Sequence, residues 1–434
     1  MKKLLIITYY WPPSGGAAVQ RWLSFANKLA EKNYSVHILT VDEKYATYQL
    51  IDESLRQQVN SSIQVHTTKT REPFKIFTLL FGKKSMPKPA FSNETNASFI
   101  KKVSRFIRGN FFIPDPRKGW RRFAVKKAAE LISQEKIRCV ITAGPPHSTH
   151  FIGKELKEKL RIYWIADFHD LWTDVIYYDM LYHLPIIRRV DKILERSILE
   201  AADLVFTVGH KYREKLLSKS DQLQKEKIKI LRIGYDERRF VRTTETIAQK
   251  KFIITYTGTI ANFYQPQVFI SALRAVVHKF PEIHFRLQFA GILAGDIKND
   301  IIKACLCYIL DDLGYLTHHQ SVELLKNSTV LLLVNPVTKD EEMVIPGKIY
   351  EYFAAGKPII NITTHKSETA SLISEARAGE TFERGEHKAL KEYLTTLIEH
   401  WKLNGTLDLE NNLPLISQYS RNEITEQLIK YLPD

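Results

Sequence analysis

Cysteine is scarce in this chain, and the three residues present, Cys139, Cys305 and Cys307, form an odd set without zinc-ligand spacing. That excludes a disulfide framework, predicts no metal centre, and points to a reduced, cytoplasmic setting. Cys305 and Cys307 fall in an apolar stretch that reads as helix. Long apolar runs are missing too: none reaches the roughly eighteen residues that a membrane-spanning helix needs. Met1 to Ile7 begins like a signal peptide, but the run stops at Tyr9-Tyr10-Trp11-Pro12-Pro13 with no small-residue cleavage site, so a buried first strand is expected. Neither an internal repeat nor a low-complexity tract occurs, which excludes solenoids and arrays. The G-x-G-x-x-G fingerprint of dinucleotide binding is absent after the first strand.

What is present is a chain of 434 residues, 44% hydrophobic, long enough for two domains. Its net charge of +15 is concentrated between Lys69 and Lys127, where sixteen Lys and Arg stand against Glu72, Glu94 and Asp115. Phe74, Phe77, Leu80, Phe106, Ile107 and Phe111 are interleaved with them. Such a segment suits an anionic bilayer surface, and it equally describes a solvated face over an ordinary buried stripe. Nucleic acid is a less expected partner, because no nucleic-acid motif accompanies the charge.

Along the chain, continuous apolar runs alternate with helical spacing. Leu4 to Thr8 reads as a buried strand, followed by the Gly15-Gly16 loop and a helix over 17–32. Adjacent glycines before a helix start let backbone amides approach a diphosphate, although most such loops are simple turns. Ile162 to Ala166 is a strand that ends in Asp167-Phe168-His169-Asp170, and ionisable groups at that end of an α/β strand are where ligands bind. His147 and His150 read as helix caps. After Gly234-Tyr235-Asp236 the polar residues 236–250 read as a linker, and the rhythm restarts at Phe252 with the turn Thr257-Gly258-Thr259. Helices are expected over 296–306 and 320–326 with nothing regular between them. The pattern predicts an α/β fold: an amino-terminal doubly wound domain (1–235, with the basic insert 69–127), a second one (251–415), and a closing helix within 416–434 that packs back on the first.

Pro346 to Pro358 is the most informative stretch. Pro346-Gly347 ends a loop, helical spacing follows, and Gly356 stops it before the run Ile359 to Ile362. Lys348 and Glu351 share one face at the helix start. A helix start with a lysine suits phosphate, and a carboxylate one turn on suits the two hydroxyls of a ribose. A surface ion pair of little energetic value has the same spacing.

Pro12 to Gly16, Trp164 to Trp172, Glu195-Arg196 through Ala202-Asp203, Gly234 to Asp236 and Lys348 to Pro358 together resemble, in order and spacing over almost the whole length, the glycosyltransferases of sequence-based family 4. The resemblance implies the GT-B fold, two doubly wound Rossmann-like domains facing a cleft. It also implies retaining, metal-independent transfer from a UDP- or GDP-linked sugar, with no cofactor, to a glycan or lipid-linked acceptor in surface polysaccharide or glycoconjugate synthesis. The expected place is cytoplasmic, peripheral on the inner face of the cytoplasmic membrane. By position, Gly15 and Gly16 face the diphosphate or the acceptor, Gly258 and Thr259 bind donor, Lys348 contacts phosphate, and Glu351 matches the ribose-holding second glutamate of E-x7-E. Met343 stands where that pattern has its first glutamate. Glu341 and Glu342 lie beside it out of register, and Glu342 is assigned to the sugar. His169, with Asp170, matches the family's loop histidine. Thr257 to Asn262 lacks the cations that many relatives carry, which leaves Lys348 with more of the phosphate charge, helped by Arg21 or Arg232. Two alternatives remain: a nucleotide-sugar epimerase on the same fold, and a catalytically weak relative that binds membrane or nucleic acid.

Overall fold

A computed structural model describes residues 2–48, 50–72, 99–175, 177–240, 250–407 and 409–433. Residues 73–98 of the basic insert, with Phe74, Phe77 and Leu80, and most of the expected linker, 241–249, lie outside the described residues. The remainder divides into two compact units: residues up to 232 together with those from Ile424 on, and residues 233–423.

The first unit is built on seven parallel strands, β1 (Lys3–Thr8), β2 (Ser35–Val41), β3 (Gln64–Thr68), β4 (Cys139–Gly144), β5 (Tyr163–Phe168), β6 (Leu204–Thr207) and β7 (Ile228–Ile230). They lie in the order β3-β2-β1-β4-β5-β6-β7. Strands β2 and β4 are buried along their whole length, as strands covered by helices on both faces must be. Ile424 and Leu428 of the last helix (Arg421–Ile429) are buried in the same cluster as Leu4, Ile6, Phe206 and Leu231.

The second unit repeats the arrangement with β8 (Phe252–Thr257), β9 (Phe285–Ala290), β10 (Leu310–Gly314), β11 (Val330–Val334), β12 (Ile359–Ile362) and β13 (Gly379–Phe382), ordered β10-β9-β8-β11-β12-β13. In each sheet the order reverses beside the first strand, between β1 and β4 and between β8 and β11, and open α/β sheets bind ligands at such switch points. The segment that precedes β8 is anchored here, with Tyr235 and Phe240 buried among Leu331, Ile349 and Tyr419.

Two expectations fail in this unit. Strand β10, Leu-Asp-Asp-Leu-Gly, is invisible to hydrophobic patterning because it is an edge strand, whose two acids pair outward: Asp311 with Arg286 and Asp312 with Lys298. The helix before it, Gly295–Lys303, ends short of the cysteines; Cys305 takes a left-handed backbone (φ 58°) and Cys307 starts a 3-10 turn, so both residues are exposed and lie outside that helix. Among the described residues no helix is long and apolar enough to cross a membrane.

Candidate functional site

In the second unit, the carboxyl end of β8 meets the start of the helix Lys348–Ala355. Gly258 has φ 103° and donates its N–H to Ala290 O at 2.7 Å, while Gly291 has φ 132°. Both conformations favour glycine, and both sites are crowded. A Cβ on Gly291 would stand 2.2 Å from Gly258 O, and one on Gly258 would stand 3.1 Å from Lys348 Nζ. The bare backbone at Gly258 therefore makes room for the lysine. Lys348 Nζ lies 3.8 Å from the centroid of the Tyr256 ring, a cation-π contact, and Tyr256 in turn donates its hydroxyl to Thr259 O at 2.8 Å. Burial pushes the Lys348 ammonium down to about 7, opposed by the charge of Glu351.

Glu351, one turn further, is mostly buried and lies 2.6 Å from His318 Nε2. His318 opens the helix His318–Lys326, whose cap is fixed by a Thr317–Gln320 capping box. Burial raises the Glu351 carboxyl, but the His318 hydrogen bond and the charges of His318, Arg421 and Arg239 outweigh it and hold the group below the ordinary range. Tyr352 ties the helix to the sheet: its hydroxyl accepts from Thr257 N at 3.0 Å and donates to Leu332 O at 3.2 Å. One cation, one ionised carboxylate, a glycine loop and a helix start without a side-chain cap thus meet beside a switch point. Such a set takes a diphosphate and a vicinal diol.

Gly258, Thr259, Lys348 and Glu351 come together here. Glu342 sits half-buried in the turn Glu341–Met343. Its neighbour Glu341 is spent on Arg384, at 2.9 and 3.1 Å, and on Thr363 at 2.8 Å. Sequence reading missed Tyr256, His318, Arg239 and Arg421. His318 had one signal, its place next to a Thr-x-x-Gln cap; the others read as ordinary strand, turn or helix residues.

In the first unit, Gly16 (φ 110°) precedes the helix Ala17–Glu31, while the Gly15 N–H is donated to Leu50 O at 3.0 Å and so is not offered to a ligand. His169 and Asp170 follow β5, both half-buried. Burial lowers the His169 imidazole; Asp170 and Asp167 oppose this and Arg21 adds to it, so the ring is neutral at neutral pH. Among the described residues its buried Nδ1 has no hydrogen-bond partner. Arg21 does not serve as a phosphate ligand. Its side chain is fully buried, bound to Asp167 at 3.0 and 3.3 Å and to the carbonyls of Leu231 (3.0 Å) and Arg232 (2.8 Å). An arginine one helix turn after a glycine loop looks like an anion ligand in sequence, but β5 supplies a buried carboxylate that claims it. His147 and His150 do not act as caps; His150 stacks on Phe168 (4.5 Å) and bonds Thr142 Oγ1 (2.9 Å), and His147 stacks on Trp172 (5.4 Å).

No protein-family model matches the chain, and no curated protein matches it in sequence. Solved structures are similar to it over nearly their whole length. HepE of Anabaena, in complex with UDP, superposes with a TM-score of 0.64 at 14% identity, with 99% of each chain covered. A glycosyltransferase from Rickettsia africae gives 0.62 at 14%, covering 99% of this chain and 98% of that one. Sucrose-phosphate synthase from Thermosynechococcus elongatus gives 0.60 at 13%, again covering 99% and 98%. Identities this low speak to architecture alone, and the architecture is the two-unit α/β arrangement of the GT-B fold.

Proposed function

We propose that the chain is a retaining glycosyltransferase of the family 4 type that moves a sugar from a nucleoside diphosphate sugar to a glycan or lipid-linked acceptor. The observation that carries this reading is the meeting of Lys348, Glu351 and the Gly258 loop at the ends of β8 and β11. The likeness to HepE in complex with UDP supports it.

Cleavage of the anomeric C–O bond leaves negative charge on the departing diphosphate. Protonated Lys348 and the backbone N–H groups at the uncapped helix start stabilise that charge with fixed dipoles that need no reorganisation. Glu351, ionised and oriented by His318, accepts the ribose hydroxyls. The acceptor hydroxyl gives its proton to the departing phosphate oxygen as it bonds to the anomeric carbon on the same face, so no side-chain base is needed and configuration is retained. His169, neutral, and Asp170 are assigned to hydroxyls of the sugar. Turnover is expected to persist in the presence of a chelator.

Thermal melts with UDP, GDP and ADP and with their sugars test the reading. One base series is expected to raise the midpoint, by about 2.7 kcal/mol of stabilisation at a hundredfold excess over Kd. A flat response across all three series would sink the proposal. Conversion of the donor sugar to its epimer with no acceptor present would replace transfer by epimerisation.

A further inference from the structure

A surface helix ordinarily buries its apolar stripe and shows its charges to water, and two helices of the first unit do the reverse. Between residues 185 and 195 of the helix Pro185–Ala201, the buried residues are its two acids, Asp191 and Glu195. Asp191 accepts from the Tyr178 hydroxyl at 2.8 Å; Glu195 accepts from Thr173 Oγ1 at 2.6 Å and pairs with Lys219 at 3.2 Å. The acids are thus spent inward, on the segment that follows β5. On the outer side Ile186 and Ile193 are 62% and 57% exposed, two turns apart on one stripe, with exposed Arg189 between them and exposed Lys192 at its edge.

The helix Phe99–Phe111 follows the same plan. Arg105 and Asn110 are buried, whereas Val103 and Phe106 are exposed one turn apart beside exposed Lys102, and Phe111 at the end is 66% exposed. Asn110 locks this helix to the entry of the other, since its side chain donates to Tyr182 O at 3.1 Å and accepts from Leu184 N at 2.7 Å. Gly109 permits the approach: a Cβ there would stand 2.4 Å from Leu181 O. Tyr182 and Leu184, which make the link, are exposed as well and join the apolar groups of the two helices.

Charge of one sign accompanies these groups. The helix Phe99–Phe111 has no acid, and the acids between 180 and 196 are the buried pair. Asp179, exposed just before them, is paired with Arg188 at 2.8 Å. A single exposed leucine is ordinary; a joined apolar set, rimmed by cations and cleared of outward carboxylates, marks an interaction surface. Two copies of this face would set cation against cation, whereas a lipid surface with anionic headgroups complements it. Aliphatic and aromatic side chains enter the interface of such a bilayer while lysine and arginine heads stay among the phosphates.

We propose that this face docks the protein on a bilayer that contains anionic lipid, with Phe111, Leu184, Ile186 and Ile193 in the interface and Lys102, Arg189 and Lys192 at the headgroups. The basic insert contributes the exposed apolar side of one helix, and the partner helix lies outside the insert altogether. No residue of the donor set takes part, so the proposal stands whether or not the chain transfers sugar.

Co-sedimentation of the full chain with vesicles tests it, using phosphatidylcholine alone and phosphatidylcholine with about one-third phosphatidylglycerol. Binding is expected to be at least about tenfold tighter to the anionic vesicles and to weaken as salt is raised. Replacing both exposed isoleucines, Ile186→Gln with Ile193→Gln, is expected to lower that binding at least about tenfold without moving the melting midpoint. Leu403→Gln, at a residue 82% exposed in the second unit, is expected to leave it unchanged. Deuterium exchange of the wild type is expected to slow at 102–111 and 182–196 when anionic vesicles are added, a readout that needs no variant. Failure to bind either vesicle, equal binding to both, an unchanged affinity in the double isoleucine variant, or protection confined to other segments overturns the proposal. So does a dimer in solution that the same double variant abolishes while vesicles bind neither form, because the face then belongs to a second copy.

Discussion

Lys348 carries a conflict between stability and binding. Its ammonium is desolvated against Tyr256, and its pKa of about 7 lies well below the ordinary value of a lysine. Between that value and the unfolded one, the unfolded chain binds more protons than the folded chain, so this group's contribution makes the ligand-free protein more stable as pH rises through the window. At and below neutral pH the buried cation is a cost. Lys348→Met is therefore expected to raise the stability of the ligand-free protein at pH 7 by about 1–4 kcal/mol. The same change is expected to weaken nucleotide-sugar binding by more than about tenfold, since an anion binds the protonated form. For the wild type, affinity measured by titration calorimetry is expected to hold steady below pH 7 and to decline above it. A variant that is less stable, or an affinity that does not change with pH, contradicts this account. Glu351 stays ionised throughout that range because His318, Arg421 and Arg239 hold its carboxyl down.

At the scale of elements, two crossovers of the second sheet are pressed together at their glycines. Gly258 and Gly291 end adjacent strands, and the φ of 132° at Gly291 and the 2.2 Å that a Cβ would have to Gly258 O leave no room for a side chain. Gly291→Ala is expected to cost about 1–3 kcal/mol through backbone strain, and to displace the loop on which Lys348 rests. Nucleotide-sugar affinity should fall with it. Gly295→Ala, where an added Cβ meets nothing within 4 Å, serves as the control and should leave both stability and affinity nearly unchanged. Equal effects of the two substitutions would show that the contact is slack. The helix Lys348–Ala355 was legible in sequence because its signals are contiguous: a loop end, an apolar face, and Gly356 in the left-handed conformation that ends it. Strand β10 was not legible, because an edge strand covered by water on its acidic side lacks the apolar run that marks the central strands.

At the scale of the molecule, each unit has its own core and its own buried polar centre. In the first unit that centre is Arg21 with Asp167, both side chains fully buried. Asp167→Asn leaves the guanidinium without its counter-charge and is expected to cost about 3–5 kcal/mol. In differential scanning calorimetry the loss is expected in a transition of the first unit, while nucleotide sugar raises a transition of the second. A single transition displaced equally by both changes would show instead that the two cores melt as one.

The amino-acid sequence by itself determined the class of the fold and the chemistry of one motif. Buried parallel strands must be continuous apolar runs, amphipathic helices must repeat at their own period, and Lys348 and Glu351 stand one turn apart whatever surrounds them. Only the tertiary structure decided what those groups do. Glu351 meets His318 across 33 positions and Arg21 meets Asp167 across 146, because every crossover of a parallel sheet returns a distant segment to the same strand ends. No local pattern records such a meeting. The same topology turned Arg21 from an apparent anion ligand into a structural ion pair.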